Sequence, residues 1–194
     1  SDVYKRQLYI FSGSFIYFMA FMVIVGLALR KKGYLSDAFT VEHYHDIGKF
    51  LFGFVVFWGY MAFSQYFLIW YANIPEEAAY FYPRLIGSYQ LPFISMLVMN
   101  FVFPILILMD SDFKRIPWFV VAAGFVILTG HFIDIFQLIS PATVGDSWSI
   151  GIPELSSLAF FLGLFIFVVF SAIAKAPLHA KGNPFMKESE LYHY

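Results

Sequence analysis

The chain contains no cysteine. Disulfides, thiolate-bound zinc and cysteine-ligated iron–sulfur clusters are therefore excluded within it. Charge is scarce too: 13% of the 194 residues are Asp, Glu, Lys or Arg, and the net charge is −1. Average soluble domains carry about twice that charged fraction. With no basic excess, nothing points to nucleic acid as a partner. Inside the long apolar stretches His131 is the lone histidine, so a haem held by two intramembrane histidines lacks its ligand pair. No glycine-rich phosphate loop, serine-hydrolase elbow or two-histidine zinc motif occurs.

What is abundant is apolar. Hydrophobic residues make up 60% of the chain and aromatics 22%. A bilayer core about 30 Å thick is crossed by roughly 20 apolar helical residues, and five stretches qualify: 8–29, 48–72, 90–109, 117–139 and 153–174. The sequence thus predicts an all-α polytopic membrane protein over residues 8–174. Residues 175–194 form a polar tail broken by Pro177 and Pro184. Residues 1–7, SDVYKRQ, are polar and end abruptly against the first span. They read as a non-native scar at a truncated edge and are set aside from the fold.

Basic residues in short loops set topology. Of the 12 Lys and Arg, Lys5 and Arg6 belong to the set-aside segment and Arg84 sits between spans two and three. The other nine (Arg30, Lys31, Lys32, Lys49, Lys114, Arg115, Lys175, Lys181, Lys187) share the opposite side. That side, with the C-terminus, is expected to be cytoplasmic, and NIPEEAAYFYPRLIGSYQ to face outward. Trp70, Tyr71, Trp118 and Trp148 fall at the span boundaries, where an apolar ring with a polar edge is favoured. Asn73 and Pro75 end the second span, because proline cannot donate to the preceding turn, and Glu76 and Glu77 stay hydrated beyond it.

Polar residues inside the spans are the candidates for chemistry. Tyr60, Ser64 and Tyr71 lie within about 40° of one another on a 3.6-residue wheel, with Gln65 to one side. Such side chains face other helices or a cavity, so the stripe is either interhelical glue or a wet, quinone-facing surface. Pro104 leaves the Asn100 carbonyl without its helical partner, and Asn100 has an amide to offer a compensating network. The sharpest signal is TGHFIDIFQL. His131 and Asp134 stand at i, i+3, so they share a face and can touch. Asp134 is the lone carboxylate well inside any span, and such residues mark a pathway or a pairing. Gly124 returns to the same face and leaves room for a neighbour. At the mouth of the second span, EHYHDIGKF places Glu42, His43, His45, Asp46 and Lys49 together. They are either a proton-gathering entrance or a solvated helix start, with Asp46 favouring the helix dipole. Two nearby histidines without a further fixed ligand are a weak metal motif. His131, Asp134, His45, Asp46 and Lys49 are the proton-relay candidates; no catalytic or metal-ligating residue is expected.

The stretch FWGYMAFSQYFLIWYANIPEE, with HYHDIGKFLF before it and GHFIDIFQLI and PATVG after it, resembles the NrfD-like, polysulfide-reductase family of membrane subunits. Within that family it is most similar to the second large membrane subunit of bacterial alternative complex III, a quinol:cytochrome c oxidoreductase. The likeness runs from about Leu8 to the tail. It implies a C-terminal half: a four-helix bundle plus one flanking helix, in a bacterial inner membrane. It also implies that this chain holds no cofactor itself. Haem c and iron–sulfur clusters would reside in partner subunits, beside a paralogous membrane subunit, with quinone bound in the full-length complex. Two other readings stay open: a fragment of a proton-coupled secondary transporter using His131 and Asp134, and a purely structural anchor.

Overall fold

The structure, a computed structural model, describes residues 2–35, 38–178, 182 and 184–192. No strand occurs among them. Five helical spans are long and apolar enough to cross a membrane: Arg6–Lys31, Val41–Ala72, Gln90–Leu108, Pro117–Thr143 and Ile152–Lys175. This is an all-α, multi-pass membrane architecture.

The first span belongs to α1 (Asp2–Lys31), which also takes in the polar N-terminal residues set aside on the sequence. The second is α2 (Val41–Ala72). It starts seven residues before the expected boundary at 48. His43 Nδ1 lies 3.3 Å from the Thr40 backbone nitrogen and 2.8 Å from its hydroxyl oxygen. Those contacts close the first turn, so the polar VEHYHD segment is helix and not loop. At its other end Asn73 adopts a left-handed conformation (φ 49°) and donates its N–H to the Ile69 carbonyl, which stops the helix as expected.

Short helices α3 (Pro75–Ala78) and α4 (Tyr82–Leu85) follow. The third span combines α5 (Gln90–Leu97), a π-helical turn over Val98–Val102 and α6 (Phe103–Leu108). The Phe103 N–H reaches back to the Val98 carbonyl, so the helix widens just where Pro104 removes a donor. A short α7 (Ser111–Arg115) leads into α8 (Pro117–Thr143). α8 passes through Pro141 to end four residues beyond the expected 139. The last span is α9 (Ile152–Lys175), and α10 (Met186–Glu190) lies in the tail.

α1, α2, α5–α6 and α8 form the bundle. Its core includes Ile16, Ala20, Leu51, Val55, Trp58, Leu108, Ala123 and Ile127. Gly124 meets α1 at the Ile24 side chain and the Ala20 carbonyl, the close approach that its missing Cβ permits. Gly59 of α2 likewise leaves the space that the Phe101 ring fills. α9 stands outside. It buries no residue and touches the bundle through Phe21 and Phe165, whose rings lie 5.1 Å apart. A four-helix bundle with one flanking helix is thus the observed architecture. One end carries the Pro75–Leu85 segment. The other gathers Arg30, Lys49, Lys114 and Arg115; Lys181, counted with them on the sequence, lies outside the described residues.

Candidate functional site

At the end carrying α3 and α4, the bundle opens into a cavity of about 1170 Å³. Most of its wall is apolar or aromatic, including Phe63, Tyr66, Phe81, Phe93 and Phe101. Its polar wall comes from Arg6, Tyr9, Gln65, Tyr80, Arg84, Asp134 and Gln137. Ligand sites are typically concave and apolar with a few convergent polar groups, and this cavity has that make-up.

Asp134 is a buried acidic group in its wall. The carboxyl is only 6% exposed, yet both oxygens are engaged by α1. The Tyr9 hydroxyl donates to one at 2.6 Å, and the Tyr17 hydroxyl donates to the other at 3.4 Å. Burying a carboxyl in apolar surroundings is costly unless donors meet it, and two tyrosines from a neighbouring helix supply them. His131 makes no hydrogen bond or ion pair with Asp134, although the i, i+3 spacing would let them meet. Its ring stacks on Tyr17 at 3.3 Å between centroids, and its Nδ1 is buried with no protein partner. Three residues along α8 turn the two side chains to different parts of the α1 surface, so Tyr17 stands as the link between them.

The roof of the cavity is built around Arg84, which is 4% exposed. Its guanidinium donates to the Tyr80 carbonyl and, at 2.6 Å, to the Gln137 carbonyl. The second bond has a local cause. Pro141 lacks the N–H that would normally bond Gln137, four residues earlier, and the freed carbonyl accepts from Arg84 instead. The ring of Tyr80 also lies 3.7 Å from the guanidinium carbon. Burial lowers the Arg84 pKa and raises that of Tyr80 from their ordinary values. The Gln137 amide donates to the Tyr89 carbonyl at 3.0 Å, and the Tyr89 hydroxyl to the Gly145 carbonyl at 2.6 Å. The loop is thereby tied to the end of α8.

The polar stripe of α2 divides. Tyr60 and Tyr71 are exposed, at 64% and 77%, and do not line the cavity. Gln65 does line it, while Ser64 is half-buried beside it in sequence. The inward face runs through Trp58, Gly59, Ala62, Gln65 and Tyr66. These recur at helical spacing with the bulkiest ring, Trp58, fully buried, and this packing turns the opposite face outward. Asn100 is buried at the π-helical turn with neither amide atom hydrogen-bonded to a protein group.

His45, Asp46 and Lys49 lie together at the opposite end. His45 Nε2 is 3.3 Å from the Ser111 hydroxyl, and Asp46 pairs with Lys49 at 2.6 Å. Glu42 reaches Arg115 at 3.5 Å. Lys114 is buried against Gly48, and burial, reinforced by Lys49, lowers its pKa. The tail docks here, with Ser189 3.0 Å from His43 Nε2. Among the described residues no three His, Asp or Glu side chains converge as a metal site.

Sequence reasoning missed Tyr9, Tyr17, Arg84 and Gln137. A usable signal existed for the last two, since Pro141 leaves an orphaned carbonyl that Arg84, on the same side, can satisfy. No family model matches this chain, and no curated protein matches it.

Proposed function

We propose that this chain is an integral membrane subunit of a quinol-oxidising electron-transfer complex, with its cavity facing the quinol. The observation that carries the reading is the cavity wall at Asp134: a buried carboxyl, hydrogen-bonded by Tyr9 and Tyr17, inside an aromatic enclosure large enough for a lipid-soluble ring. Oxidation of a quinol releases two electrons and two protons. Asp134 is placed to accept each proton in turn and to return it to water through the cavity mouth. A positioned carboxylate contributes about 10²–10⁴-fold to such a step. The electrons leave to partner subunits, since this chain has no cysteine or second intramembrane histidine to hold a redox centre. The resemblance to the NrfD-like subunits of alternative complex III supports the same assignment. It supplies the proposed partners (a paralogous membrane subunit, an iron–sulfur subunit and a multihaem cytochrome c) and the proposed setting in a bacterial inner membrane. The basic end and C-terminus would be cytoplasmic, and the Pro75–Leu85 segment would meet the partners outside.

Isolation of the full protein in mild detergent tests this. Co-purification with c-type haem and iron–sulfur spectra, and quinol oxidation that Asp134→Asn abolishes, is the expected result. A colourless protein that moves a solute would make it a transporter instead. Normal quinol oxidation by Asp134→Asn would reduce the chain to an anchor.

A further inference from the structure

We infer that Asp134 exchanges protons only with the end of the bundle that carries the Pro75–Leu85 segment, because a dry apolar layer separates it from the basic end. The inference rests on the reading of Asp134 as a proton acceptor and adds its direction. Buried polar side chains fall into two groups. Asp134, Gln137, Ser140, Arg84, Asn100 and Ser12 belong to the cavity half, and Glu42, His45 and Lys114 to the basic end. Between them every helix of the bundle contributes fully buried apolar residues: Ala20 from α1, Leu51 and Val55 from α2, Leu108 from α6, and Ala123 and Ile127 from α8, each 0% exposed. Along α8 the layer from Val120 to Ile127 is about 10 Å thick at 1.5 Å per residue.

A proton moves between hydrogen-bonding groups about 3 Å apart. Crossing this layer would take several relay groups, and none of the buried side chains within it is polar. Apolar enclosures of this kind also stay free of water. On the other side, the groups facing Asp134 all belong to the cavity half. Among the described residues they are Arg6, Tyr9 and Tyr17 from α1, Tyr66 from α2, His131 on its own helix, and Tyr80 and Arg84 in the roof. His45, Asp46 and Lys49 are therefore a separate cluster at the far end and not the entrance of a route to Asp134. Protons released at the cavity leave on the side where they are produced, and this bundle does not carry them across.

The absence of native cysteine makes the layer directly readable. Single substitutions Leu138→Cys in the cavity wall, Ile127→Cys in the layer and Ser111→Cys at the basic end are introduced into the full protein in membrane vesicles of both orientations. The membrane-impermeant reagent methanethiosulfonate ethyltrimethylammonium is applied, and the adduct is read by mass on peptides of this chain. Leu138→Cys is expected to be labelled from one side, Ser111→Cys from the other, and Ile127→Cys from neither. Labelling of Ile127→Cys, labelling of Leu138→Cys from the Ser111 side, or no labelling of Leu138→Cys at all would overturn the inference. Proton uptake driven by a potassium–valinomycin potential should equal that of protein-free vesicles, and faster uptake that Asp134→Asn removes would overturn it too. Neither readout depends on turnover, so a failure here is distinct from a failure of the quinol reading.

Discussion

The two ends of the bundle treat charge in opposite ways. At the basic end, charges meet opposite charges: Asp46 with Lys49, and Glu42 with Arg115, whose side chain is 40% exposed. At the cavity end, charges meet neutral dipoles. Asp134 is held by two tyrosine hydroxyls, and Arg84 by two backbone carbonyls. The difference follows from access to water: Lys49 and Arg115 are each 40% exposed, whereas Asp134 and Arg84 are 6% and 4% exposed. Near water, an ion pair is cheap to form and contributes little. In the apolar interior, a direct pair has to repay a large desolvation penalty, whereas oriented O–H and C=O groups satisfy a single charge and leave it free to react. The basic end thus pairs its charges at a boundary where one partner keeps contact with water, and the cavity end holds its charges singly on neutral groups.

Four substitutions break or sharpen that contrast, in falling order of effect. Asp134→Asn keeps the shape and the bond from Tyr9 but removes titration, so quinol oxidation by the assembled complex should drop by about 10²–10⁴-fold. Full activity in a steady-state assay would remove Asp134 from the chemistry. Arg84→Gln removes two charge-assisted bonds to carbonyls, and should cost about 3 kcal/mol of stability. Thermal unfolding in detergent should show it as the largest loss of melting temperature in this set, with assembly of the loop weakened first. Gly130→Ala would drive a methyl group into Asn100 and the Met99 Cβ at the π-helical turn. Overpacking of this kind costs about 1–3 kcal/mol, and the same melting experiment measures it. Glu42→Gln weakens the pair between buried Glu42 and the 40% exposed Arg115 while keeping an oxygen that can accept from it. A change of about 1 kcal/mol is expected, with turnover untouched. A large loss of turnover there would erase the distinction between the two ends.

The spans were legible because their signal is a one-body property: roughly 20 apolar residues are needed to cross the bilayer whatever their neighbours. The boundaries that moved depended on contacts. His43 folding back on Thr40 extended α2, and Arg84 satisfying the carbonyl freed by Pro141 let α8 continue. Asp134 stood out on the sequence as a lone buried acid, but its partners did not. The i, i+3 rule put His131 beside it, whereas the donors came from α1, 125 and 117 residues away. Spacing within one helix shows which groups share a face and says nothing of what the next helix brings. The α2 stripe divides for a related reason. Helical phase placed Tyr60, Ser64 and Tyr71 together, but the fully buried Trp58 decided which face turned inward. Polarity alone is a poor guide there, because a tyrosine ring is largely apolar and does not by itself fix which way a helix face turns.

On the proposed function, Asp134 takes up a proton when quinol is oxidised in the cavity. Redox-triggered infrared difference spectroscopy of the purified complex tests it most directly, because a carboxyl C=O stretch appears when a carboxylate is protonated. The account predicts a protonated-carboxyl band on quinol addition that vanishes in Asp134→Asn and persists in Glu42→Gln. Identical carboxyl bands in the unsubstituted protein and in Asp134→Asn would contradict it.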